Sequence, residues 1–135
     1  ARYTLLEQDA LESFQPLCEA RVIGIVIGGP YNSGILATGA RPDAWYNNDP
    51  APRDILARVS RLEAVCAEAG VRLVDAAFQF PLAHPAVVSV IPGGQGLSEM
   101  ESNLAAAKAE IPPGFWARLK REGLLHAEAP TGDAE

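Results

Sequence analysis

The chain has 135 residues, 48% of them apolar, enough for one globular unit with a packed core. Eleven Lys and Arg face seventeen Asp and Glu, a formal charge of -6 with no basic cluster, which argues against nucleic acid and anionic membrane surfaces as partners. The longest apolar runs, Val22 to Gly29 and Val87 to Ile91, are far shorter than the roughly 20 residues of a bilayer span, so a soluble, cytoplasmic protein is expected.

The opening "ARYTLLEQDALESF" lacks the basic region and apolar run of a signal peptide. Because the chain starts without Met, residues are expected before Ala1. "RYTLL", Arg2 to Leu6, predicts a strand. Asp9 with Glu12 three positions later has capping-box spacing and predicts a helix to about Arg21. "VIGIVIGG", Val22 to Gly29, is continuously apolar and predicts a strand buried on both faces. From Pro30 to Pro52 the chain is dense in Pro, Gly, Asn and Asp; an irregular segment of that length in a compact domain points to function. Ile55, Val59, Leu62, Cys66 and Ala69, at spacings of four, three, four and three, predict a helix with one apolar stripe, closed by Gly70.

"RLVDAAFQFPLAHP" predicts a further helix that Pro81 bends or ends. "AVVSVIPGG" predicts the third strand, and Ser98 with Glu101 repeats the capping-box spacing to open a helix reaching about Ala109. A short helix over Phe115 to Leu125 follows, and the segment after His126 reads as a polar, frayed end. Residues 1–127 form the expected domain and 128–135 its tail. Cys18 and Cys66 belong to no CxxC pair and have no His near them, so two buried thiols are expected rather than a disulfide or a metal site. His84, before a Pro at a helix-to-strand turn, suits a structural hydrogen bond; His126 lies near the tail, and no metal is expected.

Strands alternating with helices predict an α/β protein with a parallel sheet covered by helices. Three parallel strands leave two open edges, so part of a larger body is expected. In "SVIPGGQGLSEMESN", Ser89 to Asn103, the glycines Gly93, Gly94 and Gly96 permit close backbone approach and positive φ, while the helix from Ser98 aims free N–H groups outward. Such a turn either cradles phosphate or simply makes a tight strand-to-helix connection.

"GIVIGGPYNSGIL", Gly24 to Leu36, and "VVSVIPGGQGLSEMESNLAAA", Val87 to Ala107, resemble the seventh and eighth strand regions of the aldo-keto reductases, NAD(P)H-dependent oxidoreductases built on a (β/α)8 TIM barrel. "RYTLLEQ", "FQFPLAHPAVVSVIPGG" and "GGPYNSG" are most similar to the branch containing L-fucose dehydrogenase, or D-threo-aldose 1-dehydrogenase, with pyridoxal 4-dehydrogenase nearby. The resemblance runs from Arg2 to about Leu125. It implies the C-terminal portion of the barrel, about strands 6–8 with their helices. It also implies that the family's catalytic Asp, Tyr, Lys and His lie outside the chain, since Tyr3, Tyr31, Tyr46, Lys108, Lys120, His84 and His126 match none of those positions.

The resemblance further implies a cofactor site. Gly29, Pro30, Tyr31, Asn32 and Ser33 would lie beside the pyrophosphate, with Ile91, Gly93, Gly94, Gln95, Glu99 and Asn103 around the adenosine end and Asn103 near the adenine. Gly93 and Gln95 stand where Lys or Arg often grips a 2'-phosphate, and Glu99 holds another commonly basic position, which favours NAD over NADP. Helix capping and dipole compensation would equally explain Glu99 and Glu101. Ser102 replaces a more usual Glu, and Gly28 replaces a Tyr that stacks under nicotinamide, with Tyr31 the substitute platform. Trp45 and Tyr46 offer an apolar wall for a sugar or pyridine ring, or pack over the barrel rim. The implied function is NAD(P)-dependent oxidation of an L-fucose or D-threo-aldose type sugar, or a related alcohol, by hydride transfer. The remainder of the barrel is then the expected partner, and this segment alone is inactive. The alternative is a non-catalytic nucleotide-binding module, or a half-barrel needing a partner.

Overall fold

The computed structural model describes Arg2 to Gly132. In chain order it contains a 3-10 turn (Asp9–Leu11), α1 (Phe14–Ala20), β1 (Ile25–Gly28), α2 (Ile35–Thr38), β2 (Trp45–Tyr46), β3 (Asp49–Pro50), α3 (Arg53–Ala69), α4 (Leu73–Leu82), β4 (Val87–Ile91), α5 (Leu97–Lys108) and α6 (Phe115–Arg121). β1 and β4 pair in parallel, with Val26 opposite Ser89, Ile27 opposite Val90 and Gly28 opposite Ile91. The crossover between them carries α3 and α4, and α4 packs against β4, α2 and α5.

The strand expected over Arg2 to Leu6 is absent. The segment bends instead, because the Thr4 hydroxyl accepts from the amides of Leu6 and Glu7, both at 3.1 Å, and Thr4 and Glu7 exchange backbone hydrogen bonds. A strand needs a neighbour to take up its backbone groups, and among the described residues none pairs here. Tyr3 and Leu5 are nevertheless fully buried, Tyr3 stacking 4.8 Å from Phe80.

The helix expected from Asp9 to Arg21 is broken in two. Pro16 has no N–H to give the Glu12 carbonyl, so the ladder stops, and no Asp9 side-chain cap forms. The next strand is shorter than its apolar run: Val22 takes φ +54° at the close of α1, and Ile23 N–H reaches back to the Cys18 carbonyl at 2.8 Å. It is also covered on one face only. Ile25 and Ile27 are buried, whereas Val26 is 51% exposed, because nothing among the described residues lies against the other face.

Within Pro30 to Pro52 the chain is more ordered than its composition suggests. α2 follows the first glycine turn, and Asn47 and Asn48, at φ 53 and 70, make the two-residue left-handed turn that joins β2 to β3. α3 buries Val59, Leu62 and Cys66 of the predicted stripe and Val65 beside it, while Ile55 and Ala69 at the stripe's ends are half-buried, and Gly70 closes it at φ 70. Pro81 lies inside the last turn of α4, where the helix ends. α6 stops at Arg121, four residues before the expected end; Gly123 turns left-handed and Leu124 N–H returns to Leu119. Ala129 is 1% exposed, so the core reaches into the segment expected to fray. Cys18 and Cys66 are buried free thiols, with burial first, then Glu63 and Asp75, pushing Cys66 up to about 11. Among the described residues no helix is long and apolar enough to cross a membrane.

Candidate functional site

Because β1 and β4 are parallel and end level, with Gly28 beside Ile91, the turns that follow them leave the sheet at the same edge. Between them lies a cleft of about 590 Å³, walled by the Gly29–Gly34 turn and α2 on one side and by Gly93–Gln95 and the first turns of α5 on the other.

The first turn is left-handed at Gly29 (φ 62), Asn32 (φ 48), Ser33 (φ 62) and Gly34 (φ 97). It closes on itself through Asn32 N–H to the Gly29 carbonyl and Gly34 N–H to the Tyr31 carbonyl, while the amides of Tyr31 and Ser33 find no acceptor among the described residues. Asn32 and Ser33 tolerate a conformation that bulkier residues would resist. The second turn works differently. None of Gly93, Gly94 and Gly96 has positive φ, contrary to the expectation for such a turn. Their use is the missing side chain: a Cβ at Gly93 or Gly96 would stand in open space, and one at Gly94 would lie 3.0 Å from the Met100 sulfur.

α5 starts one residue before the expected Ser98, after an extended Gly96, and Ser98 makes no cap. The amides of Leu97, Ser98 and Glu99 have no acceptor among the described residues, and Ser98 and Glu99 line the cleft, so the positive end of the helix opens on it. Glu99 folds back on the preceding turn, Oε2 accepting from Gln95 N–H at 2.6 Å, and is the only charged side chain among the described residues that line the cleft. Asn103 binds both turns: its Oδ1 accepts from the Tyr31 hydroxyl at 2.7 Å and its Nδ2 donates to the Gly93 carbonyl at 3.0 Å.

Of the residues singled out by sequence, Gly29, Pro30, Tyr31 and Ser33 meet Gly93, Gly94, Gln95, Glu99 and Asn103 around this cleft. Four others stand elsewhere. Asn32 is 2% exposed and turns inward, Nδ2 donating to Glu7 Oε2 at 2.6 Å and to Asn47 Oδ1 at 3.0 Å. Ile91 is 61% exposed on β4, and Trp45 and Tyr46 lie on the β2–β3 hairpin, outside the cleft wall. Tyr31 is only 8% exposed, so its ring belongs to the core more than to a stacking platform. Glu7, which also accepts from Asn47 Nδ2 at 3.1 Å, was without any sequence signal; the Asn47–Asn48 pair did carry one, as a hairpin turn between two short extended stretches. Among the described residues no three His, Cys, Asp or Glu side chains converge as metal ligands.

The model of the aldo/keto reductase family matches residues 1–122. The chain belongs to the aldo/keto reductase family. Pyridoxal 4-dehydrogenase of Microbacterium luteolum is 40% identical over 124 residues, 92% of this chain and 36% of that protein. D-threo-aldose 1-dehydrogenase of a Pseudomonas species is 38% identical over 125 residues, 92% of this chain and 38% of that protein. Among solved structures, aldo-keto reductase AKR11C1 from Bacillus halodurans in its holo form superposes with a TM-score of 0.67 at 22% identity, over 99% of this chain and 44% of that one. The chain therefore spans little more than a third of the length of these curated relatives, and its fold is part of an aldo-keto reductase barrel without closure. In the aldo-keto reductase segment the space before Gly29, Gly93 and Gly96 is open and, among the described residues, bordered by amides without protein acceptors.

Proposed function

We propose that this chain is the cofactor-binding part of an NAD(P)-dependent oxidoreductase that oxidises a sugar of the L-fucose or D-threo-aldose type, or a related alcohol, and prefers NAD. The observation that carries the reading is the cleft at the strand ends, rich in free amides and lined, among the described residues, by one carboxylate and no Lys or Arg. The amides of Tyr31 and Ser33 and those of Leu97 and Ser98 would hold diphosphate oxygens without side-chain charge. Bound NAD supplies the hydride acceptor. Glu99, already fixed on Gln95, stands ready to accept from ribose hydroxyls and, at this exposed site, repels a 2'-phosphate by about 1 kcal/mol at most. No residue of this chain takes the substrate proton.

The test is titration of the protein at its native length with NAD and NADP, with intact mass measured on the same sample. Tighter binding of NAD, together with NAD-dependent oxidation of L-fucose or a similar sugar, supports the reading. Tighter binding of NADP refutes the preference. Binding of NAD without turnover of any sugar or alcohol would make the chain part of a binding module instead.

A further inference from the structure

Beyond Gly28 and Ile91 the sheet ends, and no backbone hydrogen bond crosses between the Gly29–Gly34 turn and the turn running from Pro92 to Gly96. What spans the gap is made of side chains. The Tyr31 hydroxyl donates to Asn103 Oδ1 and Asn103 Nδ2 donates to the Gly93 carbonyl, so the first turn, α5 and the second turn form one continuous run of hydrogen bonds. Tyr31 and Asn103 are 8% and 7% exposed, so water competes little for these groups and breaking the run leaves a buried amide unpaired. Burial first, then the Asp75 carboxylate, pushes the Tyr31 hydroxyl up to about 12, which keeps it a donor throughout the neutral range.

We propose that Tyr31 is a positioning residue for the nucleotide: acting through Asn103, it holds the Gly93 turn at a fixed spacing from the Gly29–Gly34 turn. This rests on the nucleotide reading above. Tyr31 touches no reacting atom in this role. It sets the width of the cleft, and the ligand groups gripped from both sides at once, the diphosphate and its ribose, are the ones whose binding depends on that width.

The test compares the native-length protein with Tyr31→Phe, which keeps the ring and removes the hydroxyl. The dissociation constants for NAD and ADP-ribose are expected to rise about tenfold. Hydrogen exchange of the amides over 93–99 is expected to quicken about tenfold while that of α3 stays unchanged. Because Tyr31→Phe keeps the ring, a tyrosine with only a packing role would leave both the nucleotide affinities and the exchange over 93–99 unchanged. Unchanged ADP-ribose affinity, or unchanged exchange over 93–99, overturns the proposal. Should the variant not fold, the native protein decides: ADP-ribose protecting both turns together supports the tie, and protection of a single turn overturns it. Failure of the native protein to bind either nucleotide refutes the nucleotide reading itself, and is told apart from native binding that Tyr31→Phe retains.

Discussion

His84 shows how much a single side chain is decided by its two neighbours. Its Nδ1 accepts from Ala86 N–H at 3.1 Å, so the proton sits on Nε2, which meets Glu19 Oε1 at 3.1 Å. The neutral ring thus satisfies both nitrogens, as its place before a proline suggested it would. Burial lowers its pKa from 6.5, with Glu19 opposing. The unfolded chain therefore takes up this proton before the folded one does, and the stability that neutral His84 contributes is lost as pH falls from about 6.5 through the folded pKa. Denaturant midpoints measured from pH 7.5 to 5 should decline, and His84→Gln should flatten that decline; parallel curves would exclude His84 as the source. The other residue-scale expectation concerns Glu99. With its carboxylate the only charge on the cleft wall among the described residues, Glu99→Lys should shift the ratio of NADP to NAD affinity about tenfold toward NADP. An unchanged ratio in competitive titrations would assign Glu99 to the turn alone, through its bond to Gln95.

Elements differ in how local their causes are. α3 was legible to within two residues because its apolar stripe and its closing glycine both act inside the helix. Gly70 sits at φ 70 with nothing within 4 Å of the place a Cβ would occupy, so Gly70→Ala meets only the backbone penalty, about 1 kcal/mol, read as a lower urea midpoint. A shift below a few tenths of a kcal/mol would contradict that geometry. The capping-box spacings misled twice. At Asp9 the helix is stopped by Pro16, and at Ser98 the start is taken by Gly96 while Glu99 closes on Gln95 instead. Three-residue spacing reports that a cap is possible; which residue uses it depends on where the entering chain comes from. The hairpin β2–β3 is anchored the same way, from a distance, by Glu7 holding Asn32 and Asn47.

On the scale of the whole molecule, the β1–β4 sheet is covered on one side and bare on the other. Val26, Val88 and Ile91 are 51%, 66% and 61% exposed, and Val22 and Ile23 extend the apolar surface at the strand entry. The 135-residue chain in isolation is expected to bind a hydrophobic dye and to associate with rising concentration. Sedimentation at two concentrations checks this, and Val26→Lys with Val88→Lys should reduce the association; a monodisperse monomer with no dye binding would mean that this face is shielded. The sequence by itself determined the α/β alternation, the helix α3, the two glycine turns and the family, since each is written in periodicity or in short contiguous motifs. Only the tertiary structure decided that Arg2 to Leu6 bends, that Asn32 turns away from the cleft, that Ala129 is buried, and that Tyr31 reaches Asn103, 72 positions away. Those outcomes depend on partners distant in the chain, and a local pattern carries no record of which group will arrive to meet a hydroxyl, an amide or an unpaired strand.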